Sequence, residues 1–565
     1  MNLLSLPLRQ QIHWSDRLAH VLLGFVFVAM LIFLGAPLFA ILEQATEDAQ
    51  GKFVGLYNFV TYAKTPSLLN SLWNSLWVSA LVTAIIVPVA FCFAYSLTRS
   101  CMRAKPVFRA ITLIPLFAPT LLFAIALIYW FGNQGLMKGF MQALGIRQIY
   151  GAPGIIMAEC FAVLPHAMMI LVTALSLADA RLYEAANALG TSTWRKFFTI
   201  TLPSAKYGLI SAALVSFTLV ITDFGIPKVI GGNFNMLATD IFKLVIGQQD
   251  FSKGAVVAML LLAPAGLTFL VDRIVSARQT AALGARAVPY HPRPAPLFDR
   301  LMTLYCVVVA VAMLGMLGMA IFASFANFWP YNLTPSLRHY KIGLFDGGVA
   351  GGFVNSLKMA TGTAFFGAIL VFCTAYLLEK TRGAVIFRMP LQIMVMLPMA
   401  VPGLVLGLGY IFFFNSPHNP LNVLYQSITL LTLCTIVHFY TTGHLTATTA
   451  LKSLDAEFET VSASLKVPFY KTFWRVTLPI CAPAVIDIAR YFFVNAMTTI
   501  SAVVFLYSPD TKVASIAILN LDEAGEIGAA AAMAVLIVVV CMTVTAIFAI
   551  LDSIIQRRTQ AWRRR

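Results

Sequence analysis

Charge is what this chain has least of. Asp, Glu, Lys and Arg together make up 11% of its 565 residues, where a soluble domain carries roughly 25%. Too little charge is present to cover the outside of any compact body in water, so a water-soluble globule is excluded. Cysteine is sparse and unpatterned: Cys92, Cys101, Cys160, Cys306, Cys373, Cys434, Cys481 and Cys541 lie mostly within apolar runs without CxxC spacing, so neither a disulfide framework nor a zinc site is expected. The chain has no HExxH and no GxxxxGK[ST]. Without the latter it lacks a loop to cradle nucleotide phosphates and cannot hydrolyse ATP by that route. No catalytic residue and no metal site are predicted. The 35 Gly and 27 Pro follow no three-residue period, which removes a collagen-like chain.

Apolar residues are abundant: 59% by the AVILMFWYC count, with a mean hydropathy of +0.83. A membrane span needs about 20 mostly apolar residues. Twelve such runs occur, near 21–42, 72–97, 108–131, 153–177, 208–224, 255–275, 302–325, 354–378, 391–414, 427–447, 481–505 and 529–552. Each is expected to be a helix, because an isolated segment in lipid must satisfy its own backbone hydrogen bonds. The first run is too long for the apolar core of a signal peptide, roughly 7–15 residues, and reads as an uncleaved span.

The formal charge of +16 comes from 39 Lys and Arg against 23 Asp and Glu. With the N-terminus placed inside, 27 of the basic residues fall in inner segments and ten in outer ones. That asymmetry predicts both termini in the cytoplasm. It also absorbs most of the excess, so nucleic acid is not an expected partner and the bilayer is.

The two halves repeat. Asn74-Ser75-Leu76 and Asn355-Ser356-Leu357 open the second and eighth runs 281 residues apart, and Ala94-Tyr95 and Ala375-Tyr376 keep that offset. Pro115 and Pro119 of the third run match Pro398 and Pro402 of the ninth at an offset of 283. An ungapped offset of 276 pairs Thr173-Ala174-Leu175 with Thr449-Ala450-Leu451, Asp179-Ala180 with Asp455-Ala456, and Thr201-Leu202-Pro203 with Thr477-Leu478-Pro479. Six spans are even in number, so both copies share one orientation, a parallel repeat about an axis along the membrane normal. The expected organisation is a first six-helix unit over 1–280, a Pro-rich cytoplasmic linker over 281–300 and a second unit over 301–565. The fold class is all-α and polytopic.

Each half carries one unusual inner loop, 179–203 and 455–479. In the first, Leu182, Ala185, Ala186 and Leu189 mark an apolar face at helical spacing, Gly190 can supply a left-handed stop, and Trp194, Phe197 and Phe198 begin a second apolar cluster. Small residues beside aromatic anchors suit a helix that lies in a partner's groove.

Glu184-Ala185-Ala186, Gly190, Ile200, Leu202 and Pro203 resemble the EAA motif of type I ABC importer permeases: EAA, three residues, G, nine residues, I, one residue, LP. The resemblance implies that the loop from Glu184 to about Phe198 is a coupling element seated in a cleft of a separate ATPase subunit. In the second half the aligned positions hold Thr460, Val461, Ser462, Lys466 and Val476, while Leu478 and Pro479 persist. Glu459 stands one residue early, and Leu465, Phe469 and Phe473 continue the apolar pattern. The fused, duplicated form is similar to ferric-iron permeases and to permeases of 2-aminoethylphosphonate uptake; Asp223–Phe242 and Leu454–Pro479 carry the second likeness. The family implies one copy of this chain on two ATPase subunits, which bring the ATP and Mg, and a periplasmic binding protein that selects the solute, all at a bacterial inner membrane.

Ionisable residues inside spans default to functional readings. Glu159 and His166 lie seven apart, about 20° off one helical face, in the fourth run. His438 and His444 fall in its repeat partner, and Asp223 ends the fifth. These five are the candidate lining of a translocation route, with hydrogen-bonded core positions as the alternative. Asp487 and Arg490 are expected to pair on one helix. Pro115, Pro119, Pro398 and Pro402 are expected to break or kink their helices and act as hinges. A twelve-span secondary transporter is the rival reading.

Overall fold

The computed structural model describes residues 14–48, 50–143, 145–282, 288, 290–345, 349–381, 385–455 and 457–559. The chain before Trp14, most of the 283–289 linker stretch, Ala456 of the repeat pairing and the basic residues after Thr559 lie outside the described residues.

Ten helices are long and apolar enough to span a bilayer: Arg17–Thr46, Pro66–Arg99, Ala152–Ser176, Thr193–Thr222, Phe251–Ser276, Pro296–Phe325, Gly351–Lys380, Ile428–Lys452, Phe469–Thr498 and Ile527–Arg557. Two further helix pairs, Lys105–Phe117 with Leu121–Phe131 and Ile386–Ala400 with Gly403–Phe414, are bent by 103° and 114°. Counting each bent pair as one span gives twelve, at the places of the twelve apolar runs. We number the spans one to twelve in chain order.

The two bends sit on the repeated prolines. Pro115 and Pro398 each lie in a short 3-10 turn, Ile114–Phe117 and Leu397–Ala400, and the helix resumes only after Pro119 and Pro402. A proline supplies no N–H to the preceding turn and its ring collides with the carbonyl four residues back. Two within one span leave no uninterrupted ladder.

Three boundaries differ from the sequence reading. Span five begins at Thr193, not near 208, because the aromatic cluster at Trp194–Phe198 is already helical and runs on through a π turn, Phe197–Thr201, into Leu202–Thr222. Span eleven does the same through Phe473–Thr477. The wider turn accommodates the missing N–H of the following proline, Pro203 or Pro479. Span eleven then ends at Thr498, although the apolar run continues to Phe505; Ile500, Ala502, Val503, Val504, Phe505 and Leu506 are buried in an irregular turn. Their apolar character reflects packing inside protein, where non-helical backbone at this depth is tolerated.

The repeat is visible in contacts. The Ser75 hydroxyl accepts from Leu237 N–H, and Ser356 from Ala514 N–H, both at 2.8 Å. Asn74 donates to the Asn235 carbonyl at 3.0 Å, and Asn355 to those of Asp510 and Lys512 at 2.8 and 3.0 Å. The Asn-Ser signature therefore ties the start of spans two and eight to the start of a short helix, Leu237–Phe242 or Ala514–Glu523, satisfying its free N–H groups.

The halves are interlaced through their first spans. Span one packs on span nine, where Tyr410 Oη donates to the Phe33 carbonyl at 2.7 Å and Phe33 stacks on Phe414. Span seven packs on spans two and three, with Trp130 Nε1 donating to Gly315 O at 3.2 Å and Tyr305 Oη to Val89 O at 2.8 Å. Gly409 is required at the first crossing: an added Cβ would lie 2.6 Å from the Pro37 carbonyl oxygen.

Candidate functional site

Each elbow is a short helix, a left-handed turn and a return into the next span. In the first, Asp179 caps the helix Ala180–Ala188 by accepting from Arg181 N–H at 3.1 Å, and Gly190 takes φ +64°, the conformation glycine adopts without strain. In the second, the helix is Glu457–Ser464, Asp455 accepts from Glu457 N–H at 3.0 Å, and Lys466 stands in the glycine's place with φ +56°. A residue with a Cβ pays roughly 1–2 kcal/mol there. The helix of the first elbow ends at Ala188, and Trp194 and Phe197 belong to the first turns of span five.

The helical face that points away from the protein repeats as well. Leu182, Leu189 and Trp194 are exposed in the first elbow, Trp194 by 76% and Leu189 by 83%. Phe458, Val461 and Leu465 are exposed in the second, Leu465 by 70%. Glu184, Ala185 and Thr460 share these outward faces. Ala186, expected to admit a partner's backbone, is instead buried against the chain's own spans. Phe197, Phe469 and Phe473 likewise turn inward: Phe197 meets Phe91 and Tyr95 edge-on, Phe473 packs on Phe372 and Tyr376, and Phe469 lies beside Tyr376 and accepts its hydroxyl on the backbone carbonyl at 3.0 Å. These three aromatics hold each elbow to the end of span two or eight.

Glu459 does not take the place of Glu184. Its carboxylate pairs with Lys380 at 2.9 Å, both groups largely shielded. Its counterpart at an offset of 276 is Tyr183, which faces inward, shares a 2.9 Å hydrogen bond with Thr201 and receives the Arg99 guanidinium at 3.5 Å. Arg99 and Lys380 themselves correspond at an offset of 281. The first elbow is therefore held by a cation on an aromatic ring, the second by an ion pair. The inter-half linker adds a strap to the first: Ala180 N–H donates to Val288 O at 2.9 Å, Tyr290 packs on Tyr183, and Arg99 lies 4.6 Å over the Tyr290 ring. At the second elbow, the start of span one takes that place, with Trp14 beside Tyr470. The half-buried Asp179 carboxyl is held down at about 2 by the Arg181 side chain first, then by the backbone N–H groups of Arg181 and Val288.

The buried ionisable residues form two separate knots at the bends. At span three, Asp223 Oδ2 accepts from Ile226 N–H at 2.8 Å and also meets Thr120 and Glu159. Glu159 is 1% exposed, and its Oε1 has no hydrogen-bond partner among the described residues. Gly225 lets this knot close, since an added Cβ would lie 2.6 Å from Thr120 Oγ1. At the bend of span nine, a Cβ on Gly403 would meet Ser501 Oγ at 2.5 Å and His438 Nε2 at 3.1 Å. His444 is buried and stacked on Tyr440, a core position. His166 is half-buried one helical stretch from Glu159. Among the described residues no three His, Cys, Asp or Glu side chains group as a metal site. Asp487 and Arg490 pair at 2.9 Å on one helix face as expected.

At the face opposite the elbows the halves are latched. Lys228 pairs with Glu523 at 2.7 Å and lies over the Phe242 ring, which stacks on Phe505. Sequence reasoning missed this contact, because neither residue repeats and nothing in a linear pattern joins them.

The chain is similar to the ferric transport system permease protein FbpB of Actinobacillus pleuropneumoniae, 28% identical over 471 residues that cover 81% of this chain and 67% of that protein. It is similar to the molybdenum transport system permease protein ModB of Azotobacter vinelandii, 30% identical over 141 residues, 25% of this chain and 62% of that protein. Among solved structures, a bacterial alginate ABC transporter in complex with alginate pentasaccharide-bound periplasmic protein aligns over 48% of this chain and 98% of its own, at 16% identity and a TM-score of 0.40. The family described as binding-protein-dependent transport system inner membrane component matches twice, over residues 87–280 and 371–557, and each match holds one bend, one elbow and the π turn that follows that elbow. The chain belongs to that family, as an ABC importer permease that carries two copies of the component fused in one polypeptide.

Proposed function

We propose that this chain is the complete gate of its importer: one copy, seated by its two elbows on two separate ATPase subunits that bring the ATP and Mg, and fed from the opposite face by a periplasmic binding protein. Both termini lie in the cytoplasm in this reading. What supports it above all is the paired set of outward apolar side chains, Leu182, Leu189 and Trp194 on one elbow and Phe458, Val461 and Leu465 on the other, at the same end of both halves. Large apolar groups left in water at a helix face are what a groove in a partner would bury. Closing the ATPases would draw the elbows together; the π turns make each elbow continuous with span five or eleven, so the movement passes directly into the membrane. The bends at Pro115, Pro119, Pro398 and Pro402 are the points that would yield.

For the cargo, the relatives' names favour ferric ion. A buried carboxyl pair at Glu159 and Asp223 suits passage of a positively charged centre, with His438 at the matching bend of the other half. The second reading is 2-aminoethylphosphonate, whose ammonium group would meet the same carboxyls; the likeness of Asp223–Phe242 and Leu454–Pro479 supports it.

Reconstitution with the ATPase and the binding protein in proteoliposomes tests the whole scheme. ATP- and binding-protein-dependent uptake is expected; uptake abolished by an uncoupler alone would instead establish a secondary transporter. Titrating the binding protein with ferric ion and with 2-aminoethylphosphonate separates the two cargoes.

A further inference from the structure

Beside the first elbow, the ends of spans two, three and four surround a cavity of about 430 Å³. Arg99, Lys105 and Arg109 line it, with Thr98, Ser176 and Val172, and no carboxylate lies among its described lining residues. Neither Lys105 nor Arg109 has an ion-pair partner among the described residues. Arg99 is 7% exposed. One of its terminal nitrogens is spent on the Leu175 carbonyl at 2.8 Å, but its Nε is buried without a hydrogen-bond partner. Three cations around one hollow, one of them with an idle buried donor, is an unfavourable arrangement unless an anion completes it.

The second half serves as an internal control. There the cation equivalent to Arg99 is Lys380, neutralised by Glu459, and positions 388 and 392, which answer to Lys105 and Arg109 at the offset of 283 set by the repeated prolines, are Arg388 and Gln392. Arg388 is present, yet it is turned onto the backbone carbonyls of Leu378 and Thr381 at 2.5 and 2.6 Å. The same fold closes its charges internally on one side and leaves them facing a hollow on the other.

We infer that this hollow is a binding site for the phosphate headgroup of an anionic phospholipid. Guanidinium and ammonium groups match phosphate oxygens, and basic pockets between spans on the cytoplasmic side are where such headgroups lodge. The position favours a lipid over free phosphate: every lining residue but Tyr290 of the linker sits at a span end, and Leu97, Pro106 and Val172 give the wall an apolar side along which an acyl chain can leave. Because Arg99 also holds Tyr183 and Tyr290, the headgroup would brace the first elbow from behind. This site is independent of the cargo.

The test is thermal stability and lipid retention of the whole transporter, purified and exchanged into nanodiscs of phosphatidylcholine with graded phosphatidylglycerol. Wild type should retain phosphatidylglycerol and melt higher as its fraction rises. The pair Lys105→Gln, Arg109→Gln should weaken retention roughly 30-fold, the weight of two cations near an anionic surface. The charge-keeping pair Lys105→Arg, Arg109→Lys should retain it, which shows that loss in the first pair is not misfolding. Equal retention in wild type and the Gln pair, or no preference for phosphatidylglycerol over phosphatidylcholine, overturns the proposal. So does full stabilisation by inorganic phosphate alone, which would assign the site to a soluble anion.

Discussion

The two elbows have one backbone and two chemistries. Both consist of a capped short helix, a left-handed residue and a π turn, yet the first uses Gly190 and docks through Arg99 on Tyr183, while the second uses Lys466 and docks through Lys380 on Glu459. What duplication preserved is the shape and the outward apolar face; what drifted is the means of holding that shape. The comparison teaches that the motif's glycine and inward aromatic are one solution to a geometric demand, and that an ion pair plus a tolerated strained residue is another. The outward glutamate had no such substitute, since Thr460 replaces Glu184.

The comparison breaks most visibly at the outward faces. Glu184→Lys and Leu189→Asp should leave insertion intact and lower ATP-driven uptake on the order of 30-fold or more, as loss of an interface hot spot does. Thr460→Lys should cost clearly less than Glu184→Lys, and transport assays on matched proteoliposomes would expose the opposite ranking. Next come the inward ties. Lys380→Ala strands Glu459 in a partly shielded site and should lower stability by about 2 kcal/mol; Lys380→Ala with Glu459→Tyr should recover part of it, read from the melting midpoint.

A smaller effect is expected at the turns. Gly190→Ala should destabilise by about 1 kcal/mol, and Lys466→Gly should stabilise the second elbow by a similar or lesser amount. Hydrogen exchange in the two loops would reveal the contrary sign if Lys466 were unstrained. The smallest effect is at Asp179. Its carboxyl is held below its usual value near 4, so its grip on Arg181 and Val288 is fully present above that value and is lost only as pH falls through about 2. The strap should therefore be indifferent to pH between 5 and 8, and Asp179→Asn should loosen it at every pH; a fluorophore on the linker reports both.

Much of this was legible beforehand because it rests on local chemistry. Lipid demands long apolar helices, prolines break them, and a left-handed turn wants glycine, so the twelve runs, both bends and the stop at Gly190 follow from residues close in the chain. Boundaries failed where an apolar run had two explanations: Ile500–Phe505 reads as membrane span but is packed inside protein. The site was less legible. A stripe of apolar residues on a short helix shows that two faces exist, but the choice of which one looks outward is made by distant residues. Phe473 is inward because Phe372 and Tyr376 receive it, and Glu459 because Lys380, 79 positions earlier, waits for it. The latch between Lys228 and Glu523 has the same cause, being chemistry between parts of the chain that no local pattern connects.

The exchange of first helices has a practical sequel. Because span one is clasped by the second half and span seven by the first, nicking the chain within its proline-rich joint should yield two fragments that stay together through purification. What covalent fusion contributes is then arithmetic rather than cohesion: in the proposed one-copy assembly it forbids two identical halves from meeting, so that such a channel has one glutamate-bearing arm and one without.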